Sequence, residues 1–257
     1  MVNLGLVSIS FRSHSVEAIL AAMKAARLTH VEWGGDVHVP MGDLFRAGEV
    51  RRMTEAAGIT VAAYGSYYRL GEEKNDEKGR EAVLTTAEKL GTTLVRIWGG
   101  ARSSADLTES DRDALIAEAR VFAAMAEKRG VTLALECHGN SVTDEYHYGI
   151  DFIRAVGSPA LRSFWQPNQM YDHAYNIEAA KAYLPYAEHL HVFSWEGGKK
   201  YPLAYHEDRW RDYFTVFGAK NFNAMLEFMH DGNIESLVPT ADALRRIVGL
   251  AGVDQGE

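Results

Sequence analysis

Short apolar runs alternate along this chain with longer stretches in which apolar residues recur every three or four positions. The runs occupy residues 4–9, 30–33, 59–64, 93–98, 131–136, 161–166, 188–193 and 221–228. Runs of this length between turn residues read as buried strands, and the longer-period stretches between them read as helices. The helical stretches cover residues 15–27, 42–57, 75–90, 108–129, 148–156, 177–186, 208–217 and 234–250. Local punctuation agrees with them. Ser15 stands where an N-cap hydroxyl belongs, and Thr108 followed by Asp111 has the spacing of a capping box. Gly58, Gly91 and Gly130 stand just past three helix ends, where glycine closes a helix most readily.

Eight strand–helix pairs, with no linker, repeat or low-complexity segment between them, predict an α/β protein. The expected architecture is a single (β/α)₈ TIM barrel spanning residues 1–257. A doubly wound open sheet is the competing arrangement. The count of eight favours closure, as does the lack of a G-x-G-x-x-G turn after the first run.

The net charge is −8, which argues against a nucleic-acid partner, since phosphate backbones need a clustered basic surface. Cys137 is the one cysteine, so no intrachain disulfide forms, and a reducing compartment is expected. The first residues lack a basic segment followed by an apolar one, so no signal peptide is read there. No apolar run approaches the roughly 20 residues of a membrane span. A soluble cytoplasmic protein without membrane contact follows as the expectation, with homo-oligomerisation left open.

Chemistry in such a barrel gathers at the C-terminal strand ends. Here these ends are Ser10, Trp33, Tyr64, Trp98, Glu136, Gln166, 191–193 and Glu227, and Trp33, Trp98, Trp165 and Trp195 lie at or just beyond them. Each tryptophan either faces a ligand or packs the rim. The fifth run is apolar until it ends in Glu136, and the eighth until it ends in Glu227. Burying a carboxylate there is costly without a compensating cation or proton. Side-chain alternation puts Glu136 and His138 on one face, and likewise His189 and His191, with His191 nearer the strand end. Glu32 and Arg96 are weaker candidates. Two carboxylates and an imidazole on three strands suit Mn²⁺, Mg²⁺ or Co²⁺, with Zn²⁺ also in range. After the seventh run, Lys199 or Lys200 is placed to reach an anionic group, the paired Gly197 and Gly198 lend that loop freedom, and His206 and Arg209 are placed to cap a pocket.

Over essentially its whole length the chain resembles the xylose isomerase-like superfamily of sugar isomerases and epimerases. That pattern places Glu, Asp, His and Glu at the ends of strands five to eight, and it maps onto Glu136, Gln166, His191 and Glu227. The Glu136–His138–Gly139 piece also looks like the superfamily's strand-five end. The resemblance implies a (β/α)₈ barrel, a divalent metal ion held by those four residues, and a sugar or keto-polyol substrate. One of Glu136 and Glu227 would remove a proton next to a carbonyl and the other return it through an enediolate, as in an isomerase or epimerase. A dehydratase or lyase shares the site, and a non-catalytic sugar-binding barrel is the alternative of a different class. His138, Trp98, Gln169, Trp195, Lys199 and His206 are the expected substrate contacts. The sequence departs at strand six, where Gln166 and Gln169 stand in place of the usual Asp and His. A carboxamide oxygen can ligate a hard cation but brings no charge, so weaker metal binding is expected.

Overall fold

A computed structural model describes residues 1–72 and 76–255. The barrel strands are β1 (Val2–Val7), β2 (His30–Gly34), β3 (Thr60–Arg69), β4 (Leu94–Trp98), β5 (Thr132–Glu136), β6 (Leu161–Trp165) and β7 (Ala187–Val192). A small hairpin, β8 (Trp195–Glu196) with β9 (Lys199–Lys200), interrupts the rhythm before the last barrel strand, β10 (Phe222–Leu226). The helices are α1 (Val16–Ala25), α2 (Leu44–Ala56), α3 (Glu77–Leu90), α4 (Glu109–Glu127), α5 (Tyr146–Val156), α6 (His173–Tyr183), α7 (Glu207–Phe217) and α8 (Leu237–Leu250). All barrel pairings are parallel, and β1 closes the ring on β10, with Val2 opposite Phe222 and Leu6 opposite Leu226. The expected (β/α)₈ TIM barrel is the observed fold.

The caps read from the sequence form as hydrogen bonds. Ser15 Oγ accepts from Ala18 N, and Thr108 and Asp111 satisfy each other's backbone in a full capping box. Gly91 caps α3 at φ 88°, in the left-handed region where a β-carbon is unfavourable. The sequence places the start of that helix at residue 75, which lies outside the described residues. The first turn seen is at Glu77, capped by Asp76.

Two differences matter for the site. The third strand runs past residue 64 to Arg69, and its register against β4 shifts between Gly65 and Arg69. The bulged segment carries Tyr67 at φ 59° and turns its ring over Trp98, with centroids 5.1 Å apart. The paired glycines Gly197 and Gly198 do not give a free loop. Both are left-handed, as a two-residue hairpin turn requires, and they fix β8 against β9.

Most of the core lies between the barrel and its helical coat. Trp33 is fully buried there, its indole donating to Thr54 Oγ1 on α2 at 3.1 Å. Trp165 is equally buried, edge-on to Trp210 and Tyr213 of α7. Both therefore chiefly pack the wall. Below the mouth Phe164 stacks on His189 at 4.3 Å and makes a floor for the polar groups above.

Candidate metal and substrate site

The inward positions of five strands bring Glu32 (β2), Arg96 (β4), Glu136 (β5), His191 (β7) and Glu227 (just past β10) into one buried cluster. Arg96 lies at its centre. Its Nε donates to Glu32 Oε1 at 2.9 Å and its second guanidinium arm to Glu136 Oε2. The Trp98 indole donates to that same Glu136 oxygen. Gly65 makes the room: a β-carbon there would lie 2.7 Å from both an Arg96 nitrogen and a Glu32 oxygen. Burial opposes ionisation of Glu136, but Arg96 and His191 overcome it and hold the carboxyl well below the usual range. Glu32 is likewise held low by His191 and Arg96 against its burial.

His191 joins the two sides of the cluster. Its Nε2–H donates to Glu32 Oε2 at 2.9 Å, so Nδ1 is turned toward the mouth. Around Nδ1 stand Gln166 Oε1 at 3.3 Å, Glu136 Oε1 at 3.5 Å and Glu227 Oε2 at 3.7 Å. Gln166 is fixed in this sense because its amide Nε2 donates to the Cys137 carbonyl at 2.7 Å, which leaves the oxygen facing inward. Three oxygens around one ring nitrogen call for a positive centre, either a proton or a metal ion. Burial works against charging His191, yet Glu227 and Glu32 pull its pKa up to about 10. Glu227 is buried and accepts no hydrogen bond among the described residues; burial together with Glu136 and Glu32 pushes it up to about 7, against His191 and Arg96.

The charges can be tallied. Three carboxylates against Arg96 leave a deficit of two positive charges when both histidines are neutral. Two protons or one divalent ion would close it. Ligands about 2.0–2.2 Å from one ion stand roughly 3.0–3.5 Å apart in tetrahedral or octahedral sites, close to the separations around Nδ1. The far nitrogen of His191 rests on a carboxylate, the usual second contact of a metal-bound imidazole. Glu136, His191 and Glu227, with the Gln166 carboxamide, thus have the chemistry and spacing to hold a divalent cation. Glu32, His189 and His191 form a second close group, but there the Arg96 guanidinium already serves Glu32.

Arg96, Glu136, Gln166 and Glu227 line a cavity of about 420 Å³, with Glu32 and His191 buried behind them. Trp98, Tyr67, Trp195 and Phe228 supply aromatic walls, while Arg12, His138 and Gln169 also line the space. Phe228 is held at φ 54°, and its N–H donates to Ser10 Oγ at 2.9 Å, which fixes the chain beside Glu227. Strained non-glycine backbone of this kind collects at functional sites.

The other sequence candidates fall into place as follows. His206 does not line this cavity; it is buried in the wall of a smaller neighbouring pocket together with Arg209. Lys199 is not in the cavity wall; the hairpin turns it outward into solvent. Lys200 lies over the rings of Trp195 and Phe228 instead, at 5.1 and 4.8 Å. Glu32 and Arg96, the weaker candidates of the sequence, are central. Only their facing was readable, since Arg96 and Trp98 alternate on one face of a five-residue strand and Glu32 has the parity opposite to Trp33; their partners were not.

If Gln166 faces a cation, Gln166→Asp adds a third carboxylate to it. Mn²⁺ affinity measured by calorimetry should rise roughly ten-fold or more, since one further charge near a divalent ion is worth at least about 1.4 kcal/mol at a solvated mouth. Turnover should not rise with it. Unchanged or weaker affinity would remove Gln166 from the ligand set.

Solved structures of similar shape include a probable 3-DHS dehydratase involved in petrobactin synthesis from Bacillus anthracis, 17% identical, with a TM-score of 0.76 over 95% of this chain and 99% of that one. A D-psicose 3-epimerase with D-tagatose from Clostridium cellulolyticum H10 is 15% identical, with a TM-score of 0.71 over 96% and 99% of the two chains. A xylose isomerase-like TIM barrel protein from Mycobacterium smegmatis, in complex with magnesium, is 16% identical, with a TM-score of 0.68 over 94% and 90%. These likenesses are of fold. No curated protein matches the sequence significantly. The family model for xylose isomerase-like TIM barrels matches residues 19–240. With that match over most of its length, and a closed eight-stranded parallel barrel beneath it, this chain belongs to the xylose isomerase-like TIM barrel family.

Proposed function

We propose that this protein is a metal-assisted isomerase of sugars or small keto-polyols, which moves a proton next to a carbonyl. The observation that carries this reading is the convergence of Glu136, Gln166, His191 and Glu227 beneath an aromatic-walled cavity, in a cluster whose three carboxylates exceed its one guanidinium by two charges when the histidines are neutral. When bound there, a divalent ion supplies the charge that polarises a carbonyl and acidifies the neighbouring C–H.

The residues divide the proton work unevenly. Glu136 has both oxygens engaged, one by Arg96 and Trp98 and the other facing His191. It stays a carboxylate and orients substrate. Glu227 accepts no hydrogen bond among the described residues, and burial beside the Glu136 carboxylate favours its taking up a proton, so it takes the proton from the substrate carbon. A single carrier returns the proton on the face from which it was taken. Delivery to the neighbouring carbon is isomerisation. Epimerisation needs a proton from the opposite face, and so would need Glu136 to carry one in competition with Arg96. Loss of a β-substituent after the same proton removal is the lyase reading; the dehydratase of similar fold makes it the one to test alongside.

The test is turnover of an aldose and ketose panel followed by nuclear magnetic resonance in D₂O. Isomerisation should appear with part of the substrate hydrogen carried over internally, as a single base requires. Removing metal with a chelator should abolish turnover, and Mn²⁺ or Mg²⁺ should restore it. Full turnover by protein shown by elemental analysis to be metal-free would sink the metal-assisted reading, and elimination products without isomers would establish the lyase.

A further inference from the structure

The segment between β6 and α6 carries Gln166 and Gln169, and one side chain holds its backbone in place. Asn176 is the fourth residue of α6 and is 4% exposed. Its Oδ1 accepts from Asn168 N at 2.7 Å. Its Nδ2 donates to the carbonyls of Asn168, Tyr171 and Asp172 at 3.0, 3.3 and 2.9 Å. Two amide hydrogens shared among three carbonyls leave no donor for a ligand. Asn176 stands in the cavity wall, yet its bonding serves the segment rather than the cavity. Asn168, held by both of its backbone groups, extends the arrangement. Its Nδ2 donates to the Asp144 carbonyl at 2.7 Å, and its Oδ1 accepts from Met170 N at 2.9 Å. The Asp144 carboxylate accepts the Ser104 N–H at 3.1 Å. The segments that follow β4, β5 and β6 are thereby tied to one another through Asn168.

This tie bears on Gln166. Pro167 separates Gln166 from Asn168 and biases the Gln166 backbone toward extended geometry. With Asn168 fixed from α6 and a proline before it, the end of β6 has little freedom. The bond from Gln166 Nε2 to the Cys137 carbonyl then settles which way the carboxamide oxygen faces. Prior placement matters more for this residue than for Glu136 or Glu227. Charge draws a carboxylate to a cation, whereas a neutral carboxamide lacks that pull. It adds to metal binding only when its oxygen is already in place, so that little rotamer freedom is lost on binding. We infer that Asn176 is a positioning residue, which fixes Asn168 and through it presents Gln166 Oε1 to a divalent ion beside Glu136, His191 and Glu227. This inference rests on the metal reading given above and deepens it.

Calorimetric titration of the metal-free protein with Mn²⁺ tests it as a double-mutant cycle. Asn176→Ala removes the four bonds and keeps a good helix former in α6. Asn176→Asp keeps the size and the acceptor for Asn168 N, but sets a carboxylate oxygen against three carbonyls. Each should weaken Mn²⁺ binding by about ten-fold, the lower end of what outer contacts of metal ligands contribute. Gln166→Ala should weaken it at least as much. In the Gln166→Ala protein, Asn176→Ala should then change the affinity by less than about two-fold, because the carboxamide through which it acts is gone. A general loosening of the mouth would lower affinity equally in both backgrounds and would overturn the inference. Unchanged affinity in both Asn176 variants would overturn it as well, since the Cys137 carbonyl and Pro167 would then suffice to hold Gln166. Unchanged affinity in Gln166→Ala would overturn it while leaving the metal reading to Glu136, His191 and Glu227. Absence of Mn²⁺ binding by the wild-type protein would overturn both.

Discussion

Glu227→Gln should lower kcat by at least about 10²–10⁴, the usual worth of a general base, with any loss of metal affinity adding to it. Its stability should move the other way. The folded protein holds the Glu227 carboxyl at a pKa of about 7 against a usual 4.5, mainly through burial, so the folded state keeps its proton where the unfolded state has lost it. Ionising that group therefore costs the metal-free protein stability as pH rises from 4.5 through 7. Gln cannot ionise and escapes the cost. Thermal melts of metal-free protein should show the variant equal to wild type near pH 4.5 and more stable at pH 8. Glu136→Gln should also lose activity but should melt lower, because Arg96 and the Trp98 indole lose a charged acceptor. Near-normal kcat in Glu227→Gln would show that this residue is not the base. A gap between variant and wild type that does not change with pH would show that its carboxyl is not held up by burial.

Arg96→Met should cost about 3–5 kcal/mol at neutral pH, the usual penalty for removing one partner of a buried ion pair. Its methylenes are replaced in kind, so the loss is of charge and hydrogen bonds rather than of volume. In wild type, Glu32 and Glu136 are held below their ordinary range, and the stability this confers is present above it and lost only as pH falls through their lowered values. Without Arg96, burial dominates Glu136 and raises its carboxyl instead. The variant should then regain more stability than wild type as pH falls from 8 toward 5, because wild type recovers only the cost of ionised Glu227 while the variant also recovers that of Glu136. Urea denaturation at several pH values measures this. A deficit below about 1 kcal/mol, or one that is flat with pH, would mean that the guanidinium contributes little to holding the two carboxylates.

How much of this was legible in the sequence follows from what each feature depends on. Helix starts at Ser15 and Thr108 depend on neighbours three residues away, and both form as read. Glu136 and Glu227 stand out because an apolar run ends in a charge, a contrast that survives without the fold. The tryptophans are different. Nearness to a strand end was visible for Trp33 and Trp165, but a strand has two faces, and only parity against a known inward neighbour tells which face a residue takes. Glu32 and Phe164 point inward, so Trp33 and Trp165 turn toward the helical coat. The importance of Arg96 was hidden for another reason. Its partners, Glu32 and Glu136, lie 64 and 40 residues away, and nothing local distinguishes a strand arginine that is satisfied from one that is not. Lys199 and Lys200 differ by one place in a hairpin whose turn type settles which of them lies over the rings.

The hydrogen bond from His191 to Glu32 joins residues 159 positions apart, and it bears on how the chain folds. Contacts so distant in sequence carry a large loop-closure cost and form late, after local strand–helix units and the neighbouring strand pairs are in place. The polar cluster is then largely absent from the transition state. Substitutions within it should leave the refolding rate nearly unchanged and register in the rate of unfolding. A cation seated between Glu136, His191 and Glu227 would act on that same late step. Its principal effect on the folded barrel would be a longer lifetime before opening, rather than a faster route to closure.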